Sequence, residues 1–172
     1  AHLMRSVAGG YDNESIAISA IVLTFYLWIR SVRDDSSWHF GVLTGLSYTY
    51  MVAAWGGYVF VLNMIGAHAA SLVLFGRYSS KLHRAYSLFY VIGTLGAIRV
   101  PPVGMAPLKS LEQLVPLAIF GGMQLLELVE IQRRKKNLKP MQVFQLRVKY
   151  GLYALAVAVP IVAMIIPTGY FL

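Results

Sequence analysis

The sequence predicts an all-α, polytopic membrane fold of about six transmembrane helices, and three observations carry that prediction. Of 172 residues, 58% are hydrophobic and only 13% charged, against roughly a quarter charged in soluble domains, and the mean hydropathy is +0.62. The apolar residues fall into six runs that approach the roughly 20 residues needed to cross a bilayer core of about 30 Å at about 1.5 Å per residue. The basic residues gather between those runs, on alternate connections.

In order, the runs cover 15–29, 40–54, 58–75, 85–98, 111–130 and 148–166. The shorter ones are read as tilted spans or as spans paired with neighbours. Gly41 and Gly45 in the second run make a small-xxx-small face that lets two helices approach closely. Asn63 and His68 interrupt the third run, and Glu127 and Glu130 close the fifth, with Glu130 four residues before Arg134. All four suit hydrogen bonds between or along helices. Pro116 and Pro160 sit inside apolar runs and are expected to kink them. Between the last two runs, 137–150 mixes Lys139, Arg147 and Lys149 with Met141, Val143, Phe144 and Leu146, the pattern of an interfacial amphipathic helix. No internal repeat or low-complexity segment appears, so one membrane domain accounts for the chain.

The charge pattern also orients the domain. Arg30, Arg33, Arg77, Lys81, Arg84, Arg133, Arg134, Lys135, Lys136, Lys139, Arg147 and Lys149 fall on one side, and only Arg5, Arg99 and Lys109 on the other. Lys and Arg stay preferentially on the cytoplasmic side. Both ends of the chain, the Asp12–Glu14 cluster, the 55–57 turn and the 100–109 loop are then non-cytoplasmic. A net charge of +8 raises nucleic acid as a partner, but these charges are short clusters between apolar runs rather than one basic face of a soluble body; no nucleic-acid partner is expected. Cysteine is absent, which removes disulfides, Cys-type zinc sites and thiol nucleophiles. No signal-peptide pattern is found at the start, and the sequence reads as an internal piece of a longer protein.

Tyr11-Asp12-Asn13-Glu14-Ser15 stands immediately before the first run. In one reading Asp12 or Asn13 caps the helix and Glu14 complements its positive end. In the other, the Asp12 and Glu14 carboxylates offer oxygen ligands to a hard divalent cation that further groups complete. Arg5, beside Gly9 and Gly10, orients a carboxylate or phosphate, or merely meets headgroups. Asn13-Glu14-Ser15 matches a glycosylation acceptor pattern but is expected unmodified, lying against the bilayer. Trp55-Gly56-Gly57-Tyr58 combines glycines for a tight reversal with interfacial aromatics. Its ordinary reading is an aromatic belt and its alternative the lining of a substrate cleft. No His or Ser arrangement suggests a nucleophile.

Longer motifs add a resemblance. Arg5-Ser6-Val7-Ala8-Gly9-Gly10-Tyr11-Asp12-Asn13-Glu14 is followed by Tyr48-Thr49-Tyr50-Met51-Val52-Ala53-Ala54-Trp55-Gly56-Gly57-Tyr58-Val59-Phe60. Gly76-Arg77-Tyr78-Ser79-Ser80-Lys81-Leu82 and Val100-Pro101-Pro102-Val103-Gly104 come after at the expected spacing. Together they closely resemble the catalytic-subunit family of eukaryotic oligosaccharyltransferases, strongly over 1–105 and loosely beyond.

The resemblance implies a GT-C glycosyltransferase-like membrane core in the endoplasmic reticulum membrane, its acidic motif facing the lumen. It implies transfer of a preassembled oligosaccharide from dolichyl pyrophosphate to the Asn of Asn-x-Ser/Thr in a nascent polypeptide, with membrane lipids and accessory oligosaccharyltransferase subunits as further partners. Carried over by motif, Asp12 and Glu14 help bind a catalytic Mn²⁺ or Mg²⁺, Asp12 being the firmer ligand, and Arg5 supports the acidic site. Trp55, Tyr58 and Arg99 are candidates for the donor cleft. On this view 1–14 is a luminal loop and 15–172 the six spans. The family's first acidic motif, its later Ser-Val-Ser-Glu loop and its Trp-Trp-Asp-Tyr-Gly motif are not found, so the luminal acceptor-reading domain is absent and the piece alone is expected to be inactive. Arg99 stands where an uncharged polar residue is expected. Two rival readings remain: a transporter or channel segment using Asn63, His68 and Glu127, and a non-catalytic membrane scaffold.

Overall fold

The computed structural model describes residues 13–137 and 139–165, and all regular structure among them is helical. Six long helices coincide with the six apolar runs: α1 (Asn13–Arg33), α2 (Phe40–Ala54), α3 (Tyr58–Leu74), α4 (Ser80–Ile98), α6 (Leu114–Lys136) and α7 (Pro140–Ile165). The short α5 (Ala106–Lys109) lies between α4 and α6. Among the described residues two segments, Asn13–Arg33 and Leu111–Lys136, are long and apolar enough to cross a membrane by themselves, and α3 is a shorter apolar helix.

Several helices outrun their apolar segments, because hydropathy ends where side chains become charged whereas a helix ends where its backbone is capped. α4 starts at Ser80, five residues ahead of the apolar run, since the Ser79 hydroxyl accepts the Leu82 N–H at 3.2 Å. α6 continues through Arg133, Arg134, Lys135 and Lys136, which complement its negative end, and stops where Asn137 turns left-handed at φ 46°. Leu111–Gln113 forms a 3₁₀ turn rather than the first turn of that helix. The segment 137–150 is not a separate interfacial helix: its larger part forms the first half of α7, continuous with the sixth run. Pro140 opens that helix, and the Gln142 side chain accepts the Lys139 N–H at 3.0 Å. The kink expected at Pro116 is also corrected, since Pro116 falls in the first turn of α6, where a missing N–H breaks no helical bond. Pro160 does lie inside α7.

α2 packs on α1 and, most extensively, on α4. The glycine pair permits the second contact: a Cβ on Gly41 would collide with the Ala85 carbonyl, and one on Gly45 with Ile92. Reciprocally, Gly93 and Gly96 of α4 make room for Tyr48 and Thr49 of α2. Thr24 and Ser47 hydroxyls hydrogen-bond at 2.8 Å between α1 and α2. The core beneath is aromatic: Trp28, Tyr48, Tyr86 and Phe89 are buried together, with ring centroids 5.6–6.1 Å apart. α6 joins through the Tyr86 hydroxyl, which donates to the Pro116 carbonyl at 3.0 Å, and through Phe120 stacked on Tyr90. Large apolar side chains such as Val22, Tyr26, Leu46, Tyr50, Leu95 and Leu155 point outward, as lipid-facing helices require.

Candidate functional site

α1 begins, α2 ends and α3 begins at one end of the bundle. Asn13 ties the first two together, its Nδ2 donating to the Ala54 carbonyl at 2.9 Å. That carbonyl belongs to the last turn of α2, where backbone acceptors lack helical partners. Asn13 thus serves its neighbour's C-terminus, and the first turn of α1 is fixed against the end of α2. Glu14 follows in the first turn of α1, half-buried and favourably placed at the positive end of the helix. Asp12 and Arg5 lie outside the described residues.

The turn itself is held by its aromatics. Trp55 is half-buried against the core, and its ring occupies the space a Cβ on Gly57 would need, so glycine is required there. Tyr58 is buried, and its hydroxyl accepts from Gln113 Nε2 at 3.4 Å. Arg99 closes α4, exposed, with its N–H on the Gly96 carbonyl at 3.1 Å. Gly96 packs against Thr49 of α2, so Trp55 and Arg99 stand at the same end of the α2–α4 pair.

Asn63, expected from the sequence to hydrogen-bond, and Gln113, which sequence reasoning passed over, complete this end. Asn63 Nδ2 donates to the Glu112 carbonyl at 3.0 Å, pinning the loop before α6 onto α3. Gln113, in the same loop, is buried, and among the described residues its Oε1 has no hydrogen-bond partner; nor has the buried Tyr48 hydroxyl. Nothing near Gln113 in the sequence marks it as buried, since it follows an acidic residue at the edge of an apolar run. Among the described residues no three His, Asp or Glu side chains gather as a metal site. Glu14 is a hard oxygen donor of the right chemistry, and the described residues supply no complete ligand set around it.

The intramembrane polar residues that a transport path would use are engaged inside the chain. Trp28 Nε1–H donates to His68 Nδ1 at 3.0 Å, and Tyr78 donates to Glu127 at 2.7 Å. Burial pushes the Tyr78 phenol well above its ordinary value, and the hydrogen bond to Glu127 adds to the shift, so it remains a donor at neutral pH. Glu130 accepts from both Arg133 and Arg134, at 3.1 and 3.4 Å.

A family model described as "Oligosaccharyl transferase STT3, N-terminal" matches residues 1–171. The chain is 48% identical over 151 residues to the dolichyl-diphosphooligosaccharide--protein glycosyltransferase subunit stt3 of Schizosaccharomyces pombe, covering 88% of the chain and 20% of the relative. It is 46% identical over 132 residues to the subunit stt-3 of Caenorhabditis elegans, covering 76% of the chain and 17% of the relative. With the subunit STT3 of Saccharomyces cerevisiae it shares 46% over 124 residues, again 17% of that relative's length. The chain therefore spans about a fifth of the curated relatives it matches. A family match along nearly its whole length, joined to near-half identity with relatives from fungi and a nematode, establishes that the chain belongs to the oligosaccharyl transferase STT3 family, N-terminal region.

Proposed function

We propose that this chain is part of the membrane core of an oligosaccharyltransferase catalytic subunit. The whole protein moves a preassembled oligosaccharide from dolichyl pyrophosphate to the Asn of Asn-x-Ser/Thr in a nascent polypeptide, in the endoplasmic reticulum membrane. The observation that carries this reading is the family match over 1–171, with Asn13 and Glu14, which follow Asp12 in the sequence, opening α1. All six long helices cross the bilayer, with the acidic motif luminal and the Arg- and Lys-rich connections cytosolic, as the charge asymmetry favours.

Asp12 and Glu14 would hold Mn²⁺ or Mg²⁺ with ligands from elsewhere in the full subunit. Such an ion supplies electrostatic stabilisation of a departing pyrophosphate. Glu14 contributes its carboxylate from a helix start that Asn13 anchors to α2. A carboxylate there also accepts hydrogen bonds from the acceptor amide, weakening its conjugation and making its nitrogen a better nucleophile. Arg5 orients the acidic site, and Arg99 and Lys109 add positive charge on the side where the phosphates arrive. Trp55 and Tyr58 border the donor cleft. Accessory subunits pack on the outward apolar faces.

The test is made in the full-length protein. Asp12→Ala and Glu14→Gln should each lower glycosylation of an acceptor peptide by about 10²–10³-fold, the usual cost of removing one preorganised electrostatic group. Near-normal transfer by Asp12→Ala would sink the assignment.

A further inference from the structure

The cleft between α3, α6 and α7 has no role in the reading above. It is a cavity of about 360 Å³ walled by Val73, Leu74, Met123, Leu126 and Val129, with Arg147 at one edge. Arg147 also borders an adjoining cavity of about 400 Å³ that it shares with Arg133. Arg147 lines both, so the apolar cavity and the one bordered by two guanidinium groups meet at that side chain.

The glycines of this region differ from those of the α2–α4 contact. A Cβ on Gly122 or Gly151, both of which line the apolar cavity, would meet nothing within 4 Å. Glycine in a helix interior costs stability relative to alanine, and among the described residues no close helix approach recovers that cost. A single hydrocarbon chain is thinner than a helix with its side chains, which is about 10–12 Å across. The cavity volume lies within the roughly 300–1,000 Å³ of small-molecule sites.

Charge selects the headgroup. Glu130 is taken by Arg133 and Arg134, and Glu127 accepts from Tyr78. Arg147 acts electrostatically on Tyr78 but makes no ion pair or hydrogen bond among the described residues. Arg134, Lys135 and Lys136 crowd the same end, exposed. A phosphate matches the guanidinium fork, and anionic lipids concentrate in the cytoplasmic leaflet.

We propose that the α3–α6–α7 cleft binds one anionic phospholipid of the cytoplasmic leaflet, an acyl chain in the apolar cavity and its phosphate on Arg147 and Arg133. This rests on the membrane placement proposed above. The lipid fills the wedge that would otherwise separate α7 from α3.

The experiment uses the full-length subunit in its complex, in nanodiscs of phosphatidylcholine containing a photoreactive phosphatidylserine, with labelled peptides mapped by mass spectrometry. Labelling should fall on α6 and α7 around Gly122 and Gly151. It should drop several-fold in Arg147→Gln and in Gly151→Leu, which fills open space without a clash. Lys149→Gln should leave it unchanged, since that ammonium lies over the Tyr153 ring, 5.8 Å from its centroid, outside the cavity. Equal labelling by a photoreactive phosphatidylcholine, or undiminished labelling in both cleft variants, would overturn the proposal. So would labelling replaced by crosslinks to another helix of the complex. Sidedness is read separately, from reagent access to a Lys136→Cys variant in sealed vesicles. Access from the luminal face would overturn the membrane placement and, with it, the leaflet assigned to the lipid. Transfer activity in the same nanodiscs reports on the transferase reading independently of labelling.

Discussion

α2 and α7 are both apolar helices, yet they are held in opposite ways. α2 is clasped on two sides, its glycines against the backbone of α4 and its Ser47 hydroxyl against Thr24 of α1. α7 touches α6, through a Gln132–Tyr150 hydrogen bond of 2.7 Å and the buried Val143, and from Leu152 to Pro160 its described side chains are almost all exposed. Lipid is as apolar as leucine, so burial alone does not bind one helix to another in a membrane; close backbone approach and interhelical hydrogen bonds do. The α1–α2–α4 group has both. Among the described residues α7 has one hydrogen bond to another helix and a single glycine, Gly151, that packs against nothing, so its position depends on what surrounds this chain.

The contrast breaks most severely at the aromatic core. Trp28→Ala removes a fully buried ring that touches Tyr86, Phe89 and His68 and leaves His68 Nδ1 without its donor. The expected loss is about 3–5 kcal/mol, read as the shift in unfolding of the detergent-solubilised protein. A smaller effect compares two glycines directly. Gly41→Val drives methyl groups into the Ala85 backbone and should cost about 1–3 kcal/mol. Gly122→Ala enters open space and should be neutral or stabilising by about 0.4–1 kcal/mol. Similar losses at both positions in the same unfolding assay would refute the division into clasped and open helices. A modest effect is also expected of Asn13→Ala, which releases the Ala54 carbonyl at about 0.5–1.5 kcal/mol. Its transfer activity in the full-length protein should fall more than that stability loss accounts for, because Glu14 loses its anchor. Unchanged activity would show that the Asn13 bond is structural only.

How much was legible in the sequence differs between fold and site. The six helices follow from the apolar runs, and a close helix approach at Gly41 and Gly45 from their spacing, though not that α4 is the partner. Their ends do not follow, since Ser79 and Asn137 cap through geometry that hydropathy ignores. At the site, the acidic pair is visible as a motif before an apolar run, and the structure adds that Asn13 docks on Ala54. Gln113 and Tyr48 were not legible as a pair, because 65 residues of chain separate two buried polar atoms that share one end of the bundle.

By itself, then, the sequence determined the class of fold, the order of its helices and the family, because composition, periodicity and long motifs are properties of consecutive residues. Only the tertiary structure decided which helices touch, that Pro116 opens a helix instead of kinking one, and that an apolar cleft stands beside Arg147. Those depend on distances between segments far apart in the chain, and helices with similar apolar faces reveal their partners only when small residues and hydrogen bonds meet in space.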